Sequence, residues 1–437
     1  MRPLEALVAA AVILVLVMRW QQPRSRQVSG TMLAMIGILL ALHLAFDGWR
    51  WEMMITYVMA LIAGWILLRD LGRVSGAKAG ESARWAAIPS TGQRVARGVP
   101  LLLAAITAIA IPALIFPRIV LPEPDGLYYV GRLEMSWTDP ARANRAVITT
   151  VWYPAEEPNG RTLTYHPRPS ALGSALAAGS SLPGFTFRNL TATRTNATAD
   201  PRFSVREGRS PLVLVSPDSG ASRYDNTALF EQLASHGYVV ASVGDEGDVA
   251  GVVADIGQRT GDLAFVLGKL VALPAGGVVD TLNTHVRVDR VALIGRGAGA
   301  AAAMELAATD QRVSGVVAIA PADLGQGALG GVRRPMLVFT IRDATPGLDD
   351  ALRYGGTEAR LEGASDATLS DRALLGSPIT SMLGIESGDA PRDVHAAVSA
   401  LTLRFLDQYL KERRQETQVD LPSRVRVRII PHQPRAG

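Results

Sequence analysis

The chain has 437 residues, enough for two or three units, with 48% hydrophobic residues, a mean hydropathy of +0.18 and a net charge of +4. It contains no cysteine, which excludes disulfides, thiolate catalysis and thiolate metal sites. Its arginines flank apolar stretches and form no basic helix with interleaved aromatics, which points to membrane topology and away from nucleic acid.

Four apolar segments come first, at about 4–18, 32–46, 53–68 and 99–116. Each is near or just below the roughly 17–25 residues that cross a bilayer as a helix. Their succession predicts a transmembrane region of four helices over residues 1–120. A cleaved signal peptide is disfavoured, because no small-x-small site follows the first segment and Arg19, Arg24 and Arg26 lie beyond it. The first loop carries those arginines and the third carries Arg69, Arg73, Lys78, Arg84, Arg94 and Arg97, so both are expected on the cytoplasmic side. This makes the chain multi-pass in the cell membrane, with the C-terminal domain extracytoplasmic. His43 is read as a packed or interfacial residue, having no neighbouring ligand.

From 121 to about 415 the pattern is that of an α/β domain with a mostly parallel sheet flanked by helices. Strands are expected at Leu127–Trp137 and Ala146–Trp152, followed by a loop-rich insertion at about 155–209. Alternating strands and helices follow: Leu212–Ser216, Tyr224–His236, Tyr238–Val243, Asp255–Leu273, Val288–Ile294, Val313–Ala320, Met336–Ile341 and Arg360–Glu362. Val394–Lys411 is expected as a closing amphipathic helix, and 416–437 as a peripheral tail.

The centre of this domain is Val291-Ala292-Leu293-Ile294-Gly295-Arg296-Gly297-Ala298-Gly299, a buried strand turning sharply into a small-residue helix. In Gly-x-Ser-x-Gly elbows the central residue presents a nucleophile from a strained turn. Here that position is Gly297.

Several stretches together resemble the platelet-activating-factor acetylhydrolase/dienelactone-hydrolase branch of the α/β-hydrolases, in its bacterial membrane-anchored form. They are Phe46 to Met53, Tyr129-Val130-Gly131 with Val151-Trp152-Tyr153-Pro154, and Leu233-Ala234-Ser235-His236-Gly237-Tyr238-Val239-Val240. The resemblance covers most of the chain and implies an α/β-hydrolase fold. Its departures fall on the catalytic positions. The family elbow reads Gly-His-Ser-x-Gly-Gly, and here Arg296 and Gly297 replace its His and Ser. Asp343 matches the triad acid, whereas Asp366 stands at the histidine position within Gly363 to Asp371. The oxyanion loop is represented by Pro217-Asp218-Ser219-Gly220, and the Ala298 amide by position is an oxyanion donor.

Serine acyl transfer needs a nucleophile, a base and oxyanion donors. The residues therefore imply a non-catalytic pseudo-hydrolase that binds a lipid, an ester or a partner, with Arg296 pairing Asp343, Asp218 or Asp366. Ser219 is read as a turn hydroxyl and as the first candidate if an unrecognised nucleophile makes the chain an active carboxylic-ester hydrolase. No cofactor is implied, and the acidic run Asp245, Glu246, Asp248 is read as a solvated loop, not a metal site. His166 is placed in a mobile loop, His236 at a helix end, His285 on the wrong side of the sheet, His395 at the start of the last helix and His432 in the tail, none with an assignable carboxylate. A third reading takes Gly295-x-Gly297-x-x-Ala300 as a dinucleotide fingerprint with Asp323 as the ribose acid, although Asp323 lies beyond the usual spacing.

Overall fold

The computed structural model describes residues 3–21, 26–46, 53–76, 120–169, 193–206, 208–244, 255–271, 282, 284–321, 324–325, 329–341, 345–374, 391–412 and 421–434. The chain divides into two compact units, Met1–Arg118 and Ile119–Gly437.

The first unit contains helices α1 (Pro3–Gln21), α2 (Arg26–Phe46) and α3 (Met54–Gly76). They meet along an apolar seam that includes Val12, Val15, Met32, Ile36, Ala63 and Leu67. Large apolar side chains such as Ile38, Leu61 and Trp65 also cover the outside, each about 60% or more exposed. Two helical stretches, Gln27–Phe46 and Met54–Gly72, are long and apolar enough to cross a membrane. This reduces the expectation of four spanning helices to two among the described residues. Helices α2 and α3 outrun their apolar segments, whereas α1 adds only Pro3 and the polar end Arg19-Trp20-Gln21. The fourth expected segment, 99–116, lies outside the described residues. His43 is buried, its Nε2 2.7 Å from the Tyr57 hydroxyl.

The second unit is a three-layer α/β structure around an eleven-stranded mixed sheet. In chain order the strands are β1 (Tyr129–Asp139), β2 (Arg145–Ala155), β3 (Thr162–Thr164), β4 (Arg194–Ala199), β5 (Ser210–Ser216), β6 (Val239–Gly244), β7 (Val286–Arg296), β8 (Val313–Ile319), β9 (Met336–Thr340), β10 (Gly356–Glu362) and β11 (Arg426–His432). Across the sheet the order is β11-β10-β9-β8-β7-β5-β6-β2-β1-β4-β3, and β6, β5, β7, β8, β9 and β10 are parallel.

The central strands are near-continuous apolar runs because both faces are covered. Their side chains alternate: Leu212, Leu214, Val291 and Leu293 face α5 (Ile256–Val271) and α6 (Ala298–Thr309). Val213, Val215, Ala292 and Ile294 face α4 (Thr227–Ser235) and α7 (Pro391–Tyr409).

Two expectations are corrected here. The stretch 416–437 is not a peripheral tail, since β11 pairs antiparallel with the whole of β10, from Gly356↔His432 to Glu362↔Arg426. Its arginines alternate with Val427 and Ile429, a period-two pattern that an Arg- and Pro-rich composition conceals. Nor does His166 sit in a mobile loop: the loop-rich insertion carries β3 and β4, and His166, just after β3, is buried. Buried Glu231 on α4 anchors β4, accepting the amides of Asn196 and Ala197 at 2.9 Å each. His166 is buried in this region, its ring edge-on to Tyr224 with centroids 4.9 Å apart. The Arg168 amide donates to its Nδ1 at 3.0 Å, and burial pushes its pKa down to about 4.

Candidate functional site at the strand-to-helix turn

The turn from β7 into α6 follows from its glycines. Gly297 has φ 52° and ψ −119°, a conformation open to glycine and strained for any other residue. A Cβ at Gly295 would collide with the Gly299 carbonyl and Ala300, and one at Gly299 with the Ser216 carbonyl. Strand and helix therefore pack backbone to backbone, as the elbow reading requires.

Asp218 occupies the space above Gly297. A Cβ at position 297 would overlap the Asp218 carboxylate. Asp218 Oδ1 accepts the Ala298 amide at 3.0 Å and the Ser219 amide at 2.7 Å. In a serine hydrolase of this architecture, the amide after the nucleophile and an amide from the loop after a core strand hold the oxyanion. Here the Ala298 and Ser219 amides hold an internal carboxylate at the N-terminus of α6, where the helix dipole and charge-assisted hydrogen bonds favour an anion. Arg259 on α5 pins the loop from behind, donating to the carbonyls of Pro217 at 2.8 Å and Asp218 at 3.2 Å.

The second ligand of this arrangement is Arg296, whose side chain is 8% exposed. Its Nη2 donates to the backbone carbonyl of Asp366 at 2.8 Å and to Asp366 Oδ2 at 2.9 Å, and Nη1 lies 3.8 Å from Asp218 Oδ2. Two carboxylates thus offset a guanidinium whose burial alone would be costly. Arg296 Nε is buried without a hydrogen-bond partner among the described residues. Of the expected alternatives, Asp343, Asp218 or Asp366, Arg296 lies against Asp366 and near Asp218. Asp343 lies outside the described residues, as do Asp245, Glu246, Asp248 and Asp323.

No base or nucleophile joins this cluster among the described residues. Ser219 is exposed, and its hydroxyl has no hydrogen-bond partner there. Contrary to expectation, three histidines do have carboxylate neighbours: His236 with Asp125 at 3.4 Å, His432 with Asp349 at 3.7 Å, and His395 with Asp371 at 3.9 Å. These partners are 111, 83 and 24 positions away in the sequence, so only the fold brings them together. His395 Nε2 donates to the Ser370 carbonyl at 3.0 Å, which leaves Nδ1 facing Asp371. Burial lowers the His395 pKa and raises that of Asp371 well above the usual carboxylate range, so a neutral pair is favoured. Asp371 also accepts from the Tyr165 hydroxyl at 3.1 Å and from the Ala228 amide at 3.2 Å, at the start of α4. The pair braces the loop that carries Asp366 and is sealed from solvent.

The dinucleotide reading meets a physical obstacle at the same turn. The α6 N-terminus, where a pyrophosphate would sit, already holds the Asp218 carboxylate. The glycines serve close packing of strand on helix.

No family model and no curated protein sequence matches the chain. Among solved structures it is similar to a ferulic acid esterase from Streptomyces cinnamoneus, with a TM-score of 0.55 and 22% identity over 70% of this chain and 98% of that one. The chain has an α/β-hydrolase fold.

Proposed function

We propose that this chain is a membrane-anchored pseudo-hydrolase of the platelet-activating-factor acetylhydrolase/dienelactone-hydrolase type, which binds a lipid or small ester without turning it over. The observation that carries the reading is the Asp218 carboxylate on the Ala298 and Ser219 amides, directly over a nucleophile position that is glycine. An ester carbonyl would have to displace a tethered anion to reach those donors, and would meet no hydroxyl there. Asp343 would be the remaining triad acid, with Asp366 in the place of the base. The two long apolar helices support anchoring. The arginine-rich first and third loops support a multi-pass arrangement with the hydrolase-fold unit outside the cytoplasm.

The exposed Ser219 beside the same amides, together with the esterase named in the structural match, favours a second reading as an active carboxylic-ester hydrolase. Hydrolysis of p-nitrophenyl acetate by the purified full-length chain separates the two. The pseudo-hydrolase reading expects no turnover above buffer. Turnover abolished by Ser219→Ala would establish the second reading and overturn the first.

A further inference from the structure

The opposite edge of the sheet carries a concave site. It is a groove of about 700 Å³ at the N-terminal ends of β9 and β10, walled by α7 and the end of β11. Because β7 to β10 are parallel, it lies across the sheet from the turn at Gly297. Its volume is within the roughly 300–1,000 Å³ typical of small-molecule sites.

The lining has a consistent chemistry. Three arginines face it, Arg333, Arg334 and Arg404, and no aspartate or glutamate among the described residues does. Arg404 is exposed and has no hydrogen-bond or ion-pair partner among the described residues. The Arg333 guanidinium lies 4.8 Å from the Tyr354 ring centroid and donates one bond to its hydroxyl at 3.3 Å. Arg334 donates to the Gln311 carbonyl at 3.4 Å. A guanidinium has five N–H donors, so each arginine retains donors for an incoming anion. The rest of the groove mixes apolar side chains, among them Leu401, Phe405 and Ile429, with the neutral polar Thr357 and Gln408 and with His432. Leu401, Arg404, Phe405, Gln408 and Tyr409 follow the 3.6-residue period along one face of α7. Tyr354 and Ile429 are 39% and 46% exposed, large apolar side chains left facing water.

We propose that this groove binds a small amphipathic anion, with a phosphate or carboxylate head on the arginines and an apolar body against Phe405 and Ile429. The inference is independent of whether the turn at Gly297 is catalytic. The test is calorimetric titration of the full chain, in a non-ionic detergent, with hexyl phosphate. Hexyl phosphate should bind, with inorganic phosphate and hexanol each at least about tenfold weaker, since each supplies only half of the recognition. Arg404→Glu should weaken hexyl phosphate at least about tenfold at an unchanged Tm, because its side chain is exposed and charge reversal opposes the head group. Competition by dihexanoyl phosphatidic acid would identify lipid head groups as a source of the ligand, and absence of competition a soluble anion. No binding of hexyl phosphate, or equal binding by wild type and Arg404→Glu, overturns the proposal.

Discussion

Asp218 Oδ1 accepts the Ala298 amide at 3.0 Å, so a carboxylate from one loop sits at the head of the helix that follows Gly297. This contact couples the two positions. Gly297→Ser alone must place a side chain at φ 52° and push Asp218 aside. It should cost about 1–3 kcal/mol from backbone strain, with the collision adding to that. Asp218→Gly should recover part of the loss. In a double-mutant cycle by urea unfolding, the coupling should be about 0.5–3 kcal/mol, and strict additivity would contradict the contact.

Arg296 is the buried cation between Asp218 and Asp366. Arg296→Met keeps most of the volume and removes the charge. Because Asp366 is 53% exposed and can be rehydrated, the loss should be modest, about 1–2 kcal/mol, less than for a fully buried pair. An unchanged Tm would contradict the pairing.

Stability should depend on pH through His166. Burial holds its pKa at about 4, below the roughly 6.5 of an exposed histidine, so the folded state prefers the neutral ring. That contribution is complete above about pH 6.5 and is lost as pH falls toward about 4. Buried His395 acts in the same direction, whereas Asp371, raised by burial, loses stability as pH rises. The difference in Tm between wild type and His166→Gln across this window isolates the His166 part. The wild type should lose more on acidification, and parallel curves would count against it.

Removing residues 421–437 deletes β11 and uncovers the edge of β10 along seven paired positions. Buried Val425 leaves with it. The truncated chain should lose at least about 5 °C in Tm and aggregate more readily, as an unpaired strand edge invites. A truncation with unaltered Tm and solubility would restore the peripheral-tail reading.

Much of the second unit was legible from period and punctuation. The runs at Leu212–Val215 and Val291–Ile294 are apolar on both faces, and the three glycines after Ile294 admit only a tight strand-to-helix turn. Strand β11 was missed because its apolar positions alternate with arginines in a short stretch beside prolines. The Asp371–His395 pair was also missed, since 24 positions and a helix start separate the two and only tertiary packing brings them together. The vacancy at Gly297 could be read directly, but its occupant could not. Asp218 lies 79 positions earlier, and nothing in Pro217-Asp218-Ser219-Gly220 distinguishes a turn aspartate from one aimed at another helix.

The proposed loss of catalysis rests on the Asp218 carboxylate held by the Ala298 and Ser219 amides over Gly297. It is tested most directly by fluorophosphonate labelling with intact mass and peptide mapping, on wild type and on Asp218→Gly/Gly297→Ser/Asp366→His. The account predicts an unlabelled wild type and a triple variant labelled at position 297. Labelling of the wild type, at Ser219 or at any other serine of this site, would contradict it.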